Sequence, residues 1–204
     1  MTFLFAALDN LLSFSPLLIY AFAANPEFQN KARTEIDSIL KDKKEQVIHE
    51  TDIPSLDYTT MCIKEALRMY SPSSGFQRYT EKPFEIDGKS IPAGIYVQTN
   101  TWMVLHHPEI WKDPFVFDPT RFTKEEIKKR DPYAFIPFGA GPRKCIAQSF
   151  VLNNLKVFIA RMLRNFEISV DPNYEFDFAT SQTISAKTKI PLEWKVRDLH
   201  ESAG

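Results

Sequence analysis

The sequence predicts a mainly α-helical fold with small peripheral β-sheets. Three observations carry that expectation. Two long apolar stretches, Met1–Ala24 and Ile146–Asn165, read as buried helices. Between them, Pro26–Lys41 and Tyr58–Tyr70 carry helix start and stop signals. Alternating polar and apolar runs occur in the middle of the chain and in its tail, as short strands require. With 204 residues the chain can bury a real core, in one large domain or two small ones.

Met1–Ala24 is apolar enough to suggest a membrane span or a signal segment. No basic residue precedes it, however, and Asp9, Asn10 and Pro16 interrupt it, so it reads as an internal helix that Pro16 kinks. Pro26 fits the first turn of the next helix, with Asn25 as its cap. The charged run "KDKKEQ" reads as a solvated loop, and "SPSSG" ends the helix over Tyr58–Tyr70. "FEIDGKSIPAGIYVQTN" reads as a pair of short strands, with turns at Asp87-Gly88 and around Pro92 and Gly94. His106–Phe138 is rich in Pro, Asp and aromatics. It reads as a long irregular segment with a short helical piece at Lys124–Lys129, a kind of segment that is functional or packed by its own side chains. "KIPLEWKV" closes the chain as a strand, and no internal repeat or low-complexity tract is visible.

Composition narrows the function. A net charge of -1 gives no argument for nucleic acid, and none is expected as a partner. Seventeen Phe residues suit a large apolar cavity or a thick core. Two cysteines, Cys62 and Cys145, make no disulfide framework, and a reduced chain is expected.

Cys145 lies in "PFGAGPRKCIAQSF", Pro137–Phe150, where a tight loop becomes a helix. A helix start favours a thiolate through its dipole and free N–H groups. Gly139 and Gly141 let the backbone turn sharply and approach something flat or bulky, and Pro142 stiffens the turn. Arg143 can offer a planar fork to a carboxylate, and Phe138 can cover the loop. One thiolate beside a cation for an anionic group is a haem arrangement. Zinc needs several Cys or His ligands, whereas His106 and His107 are adjacent and His49 and His200 are remote. The plain alternative is a buried cysteine beside a glycine turn.

This loop resembles that of the cytochrome P-450 haem-thiolate monooxygenases, whose pattern is Phe-x-x-Gly-x-Arg-x-Cys-x-Gly. Phe138, Gly141, Arg143 and Cys145 match it, and Ala147 stands where the last glycine is expected. "KEALR" supplies Glu65 and Arg68 at the Glu-x-x-Arg spacing, on one helix face, and "FDPTRF" supplies Arg121, with Thr120 at an often acidic position. The resemblance implies a buried Glu65–Arg68–Arg121 network. "TMCIKEALR", "HHPEIWKDPFVFDPTRF" and "RDPYAFIPFGAGPRKCI" are most similar to the family-four branch, the fatty-acid ω-hydroxylases.

The resemblance implies that residues 1–204 form the C-terminal portion of one cytochrome P-450 domain, from its central oxygen-side helix to the terminal strands, with the N-terminal half absent. It implies haem b with Cys145 as axial ligand, and haem contacts from Arg143, Phe138, Gly139, Gly141 and Arg78. It implies an NADPH-dependent reductase as electron donor, an apolar small-molecule or lipid substrate, and residence on the cytoplasmic face of the endoplasmic reticulum membrane, although no anchor lies in this chain. Asp9 and Asn10 fall at the catalytic positions that relay protons, but Ala7 replaces a glycine, Asn10 a threonine, and Ala6 a glutamate found in the branch. Phe3, Ala6, Ser73 to Phe76, Thr183 and Ile184 are candidate pocket walls. The expected activity is oxygen insertion into an apolar C–H bond. The alternatives are a haem-binding homologue impaired in oxygen activation and a non-enzymatic remnant.

Overall fold

A computed structural model describes residues 2–41, 43, 47–180 and 183–198, with side chains described from residue 8 onward and not at 180. Four helices build the main core: α1 (Thr2–Ala23), α2 (Pro26–Leu40), α3 (Asp57–Met69) and α6 (Gln148–Asn165). Two shorter helices, α4 (Thr101–Leu105) and α5 (Lys124–Lys129), lie between α3 and α6. Among the described residues the strands pair in twos. β1 (Gly75–Tyr79) pairs with β4 (Tyr96–Asn100), and β2 (Phe84–Ile86) with β3 (Lys89–Ile91). β5 (Phe166–Val170) pairs with β8 (Leu192–Val196), and β6 (Phe178–Thr180) with β7 (Ile184–Ala186). All four pairs are antiparallel. The result is the mainly α architecture with small peripheral sheets that the sequence predicts.

The core follows from helical periodicity. Phe14, Leu18 and Phe22 of α1 meet Ala32, Ile36 and Leu40 of α2, Ile63 of α3, and Leu155, Ile159 and Leu163 of α6. Gln29 is buried among them but fully paired. Its amide donates to the Phe22 and Ile168 carbonyls, and its oxygen accepts from the Ile168 N–H, so one side chain ties α1, α2 and β5 together. Glu35 of α2 accepts from the Tyr58 and Thr59 N–H groups, placing a carboxylate on the positive end of α3.

Several details differ from the sequence reading. α1 runs unbroken through Pro16 and, like every described helix, falls short of what a membrane crossing needs in length and apolarity. Asn25 does not cap α2 with its side chain. It donates instead to the Ala21 carbonyl, satisfying the last turn of α1. The strand pair over 84–100 is partly different. Phe84–Ile91 is a hairpin turning at Asp87 and Gly88, both at positive φ, but β4 pairs with β1, a strand the sequence reading did not assign. Most of "KDKKEQ" lies outside the described residues, as does His200.

Candidate functional site

The site begins with a buried charge network at the C-terminal end of α3. Glu65 and Arg68 are each 0% exposed. Arg68 grips Glu65 in a fork, Nε to Oε2 at 2.7 Å and Nη2 to Oε1 at 2.8 Å, and its Nη1 donates to the Leu105 carbonyl at 2.9 Å. The Asp118 N–H adds a bond to Glu65 Oε1 at 3.0 Å. Arg121 approaches the same oxygen through Nε at 3.3 Å, an ion pair without hydrogen-bond geometry, while its Nη2 donates to the Asp113 carbonyl at 3.0 Å. Buried charges need such saturation, since an ion removed from water is otherwise costly. Here it clamps two stretches of irregular chain, around Leu105 and around Asp118, onto α3.

A small aromatic core sits beside the network. Leu105, Trp111, Phe122 and Ala134 are buried together, with Phe135 packed against them. Phe122 and Phe135 meet edge to face at 4.7 Å. Phe135 leads directly into the cysteine loop.

The loop is closed by its own backbone. Gly139 N–H donates to the Ile136 carbonyl, Lys144 N–H to Gly141, and Cys145 N–H to Phe138. Gly139 and Gly141 have φ of +74° and +69°, the left-handed region that glycine occupies without cost. A Cβ on Gly139 would also lie 3.4 Å from the Phe76 ring, so this glycine both turns and packs. Cys145 is exposed, unbridged, and followed by Ile146 at 91% exposure. α6 starts three residues later, at Gln148.

A cavity of about 280 Å³ opens at the thiol. α1 contributes Asn10, Leu11 and Phe14; α3 contributes Leu67; the turn into β1 contributes Pro72 and Ser73, and β1 itself Phe76. Pro137, Phe138, Cys145, Ile146, Ala147 and Val151 complete the wall. Leu11, Phe14, Leu67 and Val151 had no distinguishing signal in the sequence beyond helical apolar spacing. One sulfur on an apolar wall fits a flat hydrophobic macrocycle held by a single thiolate. It does not fit zinc, and no cluster of three or more His, Cys, Asp or Glu that could hold a metal ion occurs among the described residues.

The other predicted residues divide. Asn10 lines the cavity, whereas the neighbouring Asp9 is half-buried outside its wall. Arg143 is exposed in the 3-10 turn Gly141–Arg143 and makes no hydrogen bond or ion pair among the described residues. Arg78 lies on β1 two residues beyond Phe76, donates to the Gln77 carbonyl, and faces a second cleft with Ala140 rather than the thiol cavity. Thr183 accepts a bond from Ser13, and Ile184 is buried, its N–H on the Pro72 carbonyl; neither lines the cavity. The side chains of Phe3, Ala6 and Ala7 lie outside the described residues. Cys62 is buried on α3, its thiol pushed well up by burial and by Glu35 and Glu65, which makes it inert beside Cys145.

Comparison with known proteins points the same way as the motifs. The family model for cytochrome P450 matches residues 1–196. Cytochrome P450 4X1 of Rattus norvegicus is 43% identical over 195 residues, covering 95% of this chain and 38% of the relative. Cytochrome P450 4Z1 of Homo sapiens is 43% identical over 171 residues, covering 83% of this chain and 34% of the relative. Cytochrome P450 4F4 of Rattus norvegicus is 40% identical over 171 residues, covering 83% and 33%. The chain thus spans little more than a third of the length of the curated relatives it matches. With a fold, a cysteine loop and a buried Glu65–Arg68 fork of this kind, the chain belongs to the cytochrome P450 family, on its family-four branch.

Proposed function

We propose that the chain is the C-terminal part of a haem-thiolate monooxygenase domain. Its reaction is insertion of one oxygen atom from O2 into an apolar, fatty-acid-like substrate, with electrons from an NADPH-dependent reductase. The observation that carries this reading is the position of the Cys145 thiol. It lies on an apolar cavity wall facing Asn10, Leu11 and Phe14 of a second helix.

Haem b held by Cys145 would supply a redox-active iron whose thiolate ligation favours O–O cleavage. The chain's own residues do the rest. Phe138 and Phe76 border the macrocycle's space, and Gly139 lets the loop lie flat against Phe76. Arg143 is a free cation for one carboxylate at the rim, and Arg78 serves a second from the adjoining cleft. Asn10 presents an amide that can hold a water on the cavity side, and Asp9, one residue back, is a proton carrier on the neighbouring face. The apolar walls suit a lipid-like substrate. Residence on the cytoplasmic face of the endoplasmic reticulum membrane belongs to the same proposal.

A second reading is favoured by Asn10. An amide donates and accepts hydrogen bonds but relays a proton less readily than a hydroxyl, which suits a peroxide-rearranging or oxygen-inactive haem protein. Supplying fatty acid with reductase, NADPH and O2, and separately a lipid hydroperoxide without reductase, distinguishes the readings. Hydroxylated product dependent on reductase is expected. Turnover of the hydroperoxide alone would favour the second reading, and turnover of neither would leave a non-enzymatic remnant.

A further inference from the structure

Arg130 occupies an unusual place for a cation. It is half-buried, close to two other guanidinium groups, Arg68 and Arg121, with Glu65 as the carboxylate they share. Like charges crowded this way repel unless something else compensates. Two contacts do so. The Arg130 guanidinium carbon lies 3.9 Å from the centroid of the Trp111 ring, and its Nη2 donates to the Arg121 carbonyl at 3.0 Å. Arg68 approaches the same ring at 5.2 Å, so Trp111 offers its negative π surface to two of the three cations. The ring itself is fixed, because its indole N–H donates to the Val104 carbonyl at 3.1 Å and only 1% of the residue is exposed.

The position of Arg130 in the chain gives this contact a direction. Arg130 ends α5 in extended backbone, and the segment that follows runs straight to the cysteine loop. Asp131 accepts from the Tyr133 and Ala134 N–H groups, Ala134 and Phe135 enter the small aromatic core, and Ile136 and Phe138 then accept the N–H groups that close the loop. We propose that Arg130 is a positioning residue for the Cys145 thiol. Stacked on Trp111, it anchors the upstream end of residues 131–145 to the Glu65–Arg68 network, so that network and loop share one register. This rests on the reading of Cys145 as the haem ligand, but the anchoring itself can be measured without haem.

The test uses hydrogen exchange on the full chain without hemin, comparing Arg130→Ala and Arg130→Lys with the parent. In Arg130→Ala, exchange of the Gly139 and Cys145 amides should accelerate at least tenfold while buried amides of α2 and α6 keep their rates. Arg130→Lys keeps the charge but loses the planar stack and should recover only a minor part. Trp111→Phe, which keeps an aromatic ring but offers a weaker π surface, should fall between parent and Arg130→Ala, and it serves if Arg130→Ala does not fold. Unchanged loop amides, acceleration spread equally over α2 and α6, or full recovery with lysine would each overturn the proposal. With hemin added, the same variants should lower the share of the thiolate-type band in the reduced carbonyl spectrum. If the parent shows no such band, the reading of Cys145 fails, while the exchange result still decides the anchoring.

Discussion

Two parts of the molecule, the end of α3 and the cysteine loop, are built on opposite terms. At the end of α3, Glu65 and Arg68 are sealed, and each strong donor or acceptor they carry meets a partner from this chain. At the cysteine loop three backbone bonds, donated by Gly139, Lys144 and Cys145, close the turn, yet Cys145, Ile146 and Phe150 are exposed. The contrast shows where rigidity is made and where it is used. Charges buried at α3 hold the irregular segment in one place, and that segment leads into a backbone-bonded loop whose thiol lies on the wall of the apolar cavity. Structural and chemical roles are thereby separated, so substitutions in the two regions should fail in different ways.

The sharpest way to break the contrast is Arg68→Ala. It leaves the Glu65 carboxylate buried without its fork, which costs about 3–5 kcal/mol. Urea unfolding of Arg68→Ala should show that loss, and a loss under about 1 kcal/mol would mean the network is not the clamp its geometry describes. Gly75→Ala acts between the two regions. A Cβ there would lie 2.2 Å from the Thr99 carbonyl oxygen, so the β1–β4 pair must shift, at about 1–3 kcal/mol. Because Phe76 follows Gly75 and backs Gly139, the variant should also loosen the loop, visible as faster exchange of the Gly139 amide.

The smallest effect comes from a site remote from both. Burial acts to raise the Asp37 carboxyl, but hydrogen bonds from Arg197 and Arg164 outweigh it and hold the group below its ordinary 3.8. A depressed carboxyl contributes stability that is fully present above the ordinary value and is lost as pH falls through the lower folded one. Asp37→Asn should therefore be less stable than the parent at neutral pH by up to about 1 kcal/mol, the gap narrowing as pH drops below 3.8. A gap independent of pH would show that the charge is not what the arginines hold.

Much of this was legible in the sequence because it is local. The spacing of Glu65 and Arg68, the Asp87-Gly88 turn and the glycines of the cysteine loop each state their geometry within a few residues. What was not legible depends on partners far along the chain. Gly75 is required by Thr99, β1 by β4, and neither requirement is written in "SPSSGFQRY". Asn25 stands where a cap is expected, but the end of α1 competes for its side chain and wins. Arg78 lies beyond Phe76 because the strand that carries it, unassigned from sequence, leads away from the thiol cavity. The Arg130–Trp111 contact joins residues separated by a loop and a helix, and no pattern in either segment announces it.

The central claim is that the Cys145 sulfur holds haem iron. Titration of the purified chain with hemin, followed by the carbon monoxide difference spectrum of the reduced protein, tests it directly alongside Cys145→Ala. The account predicts a saturable thiolate-type Soret band that disappears in Cys145→Ala while the unfolding midpoint of the hemin-free protein stays where it was. Equal hemin uptake and an identical spectrum in Cys145→Ala would contradict it.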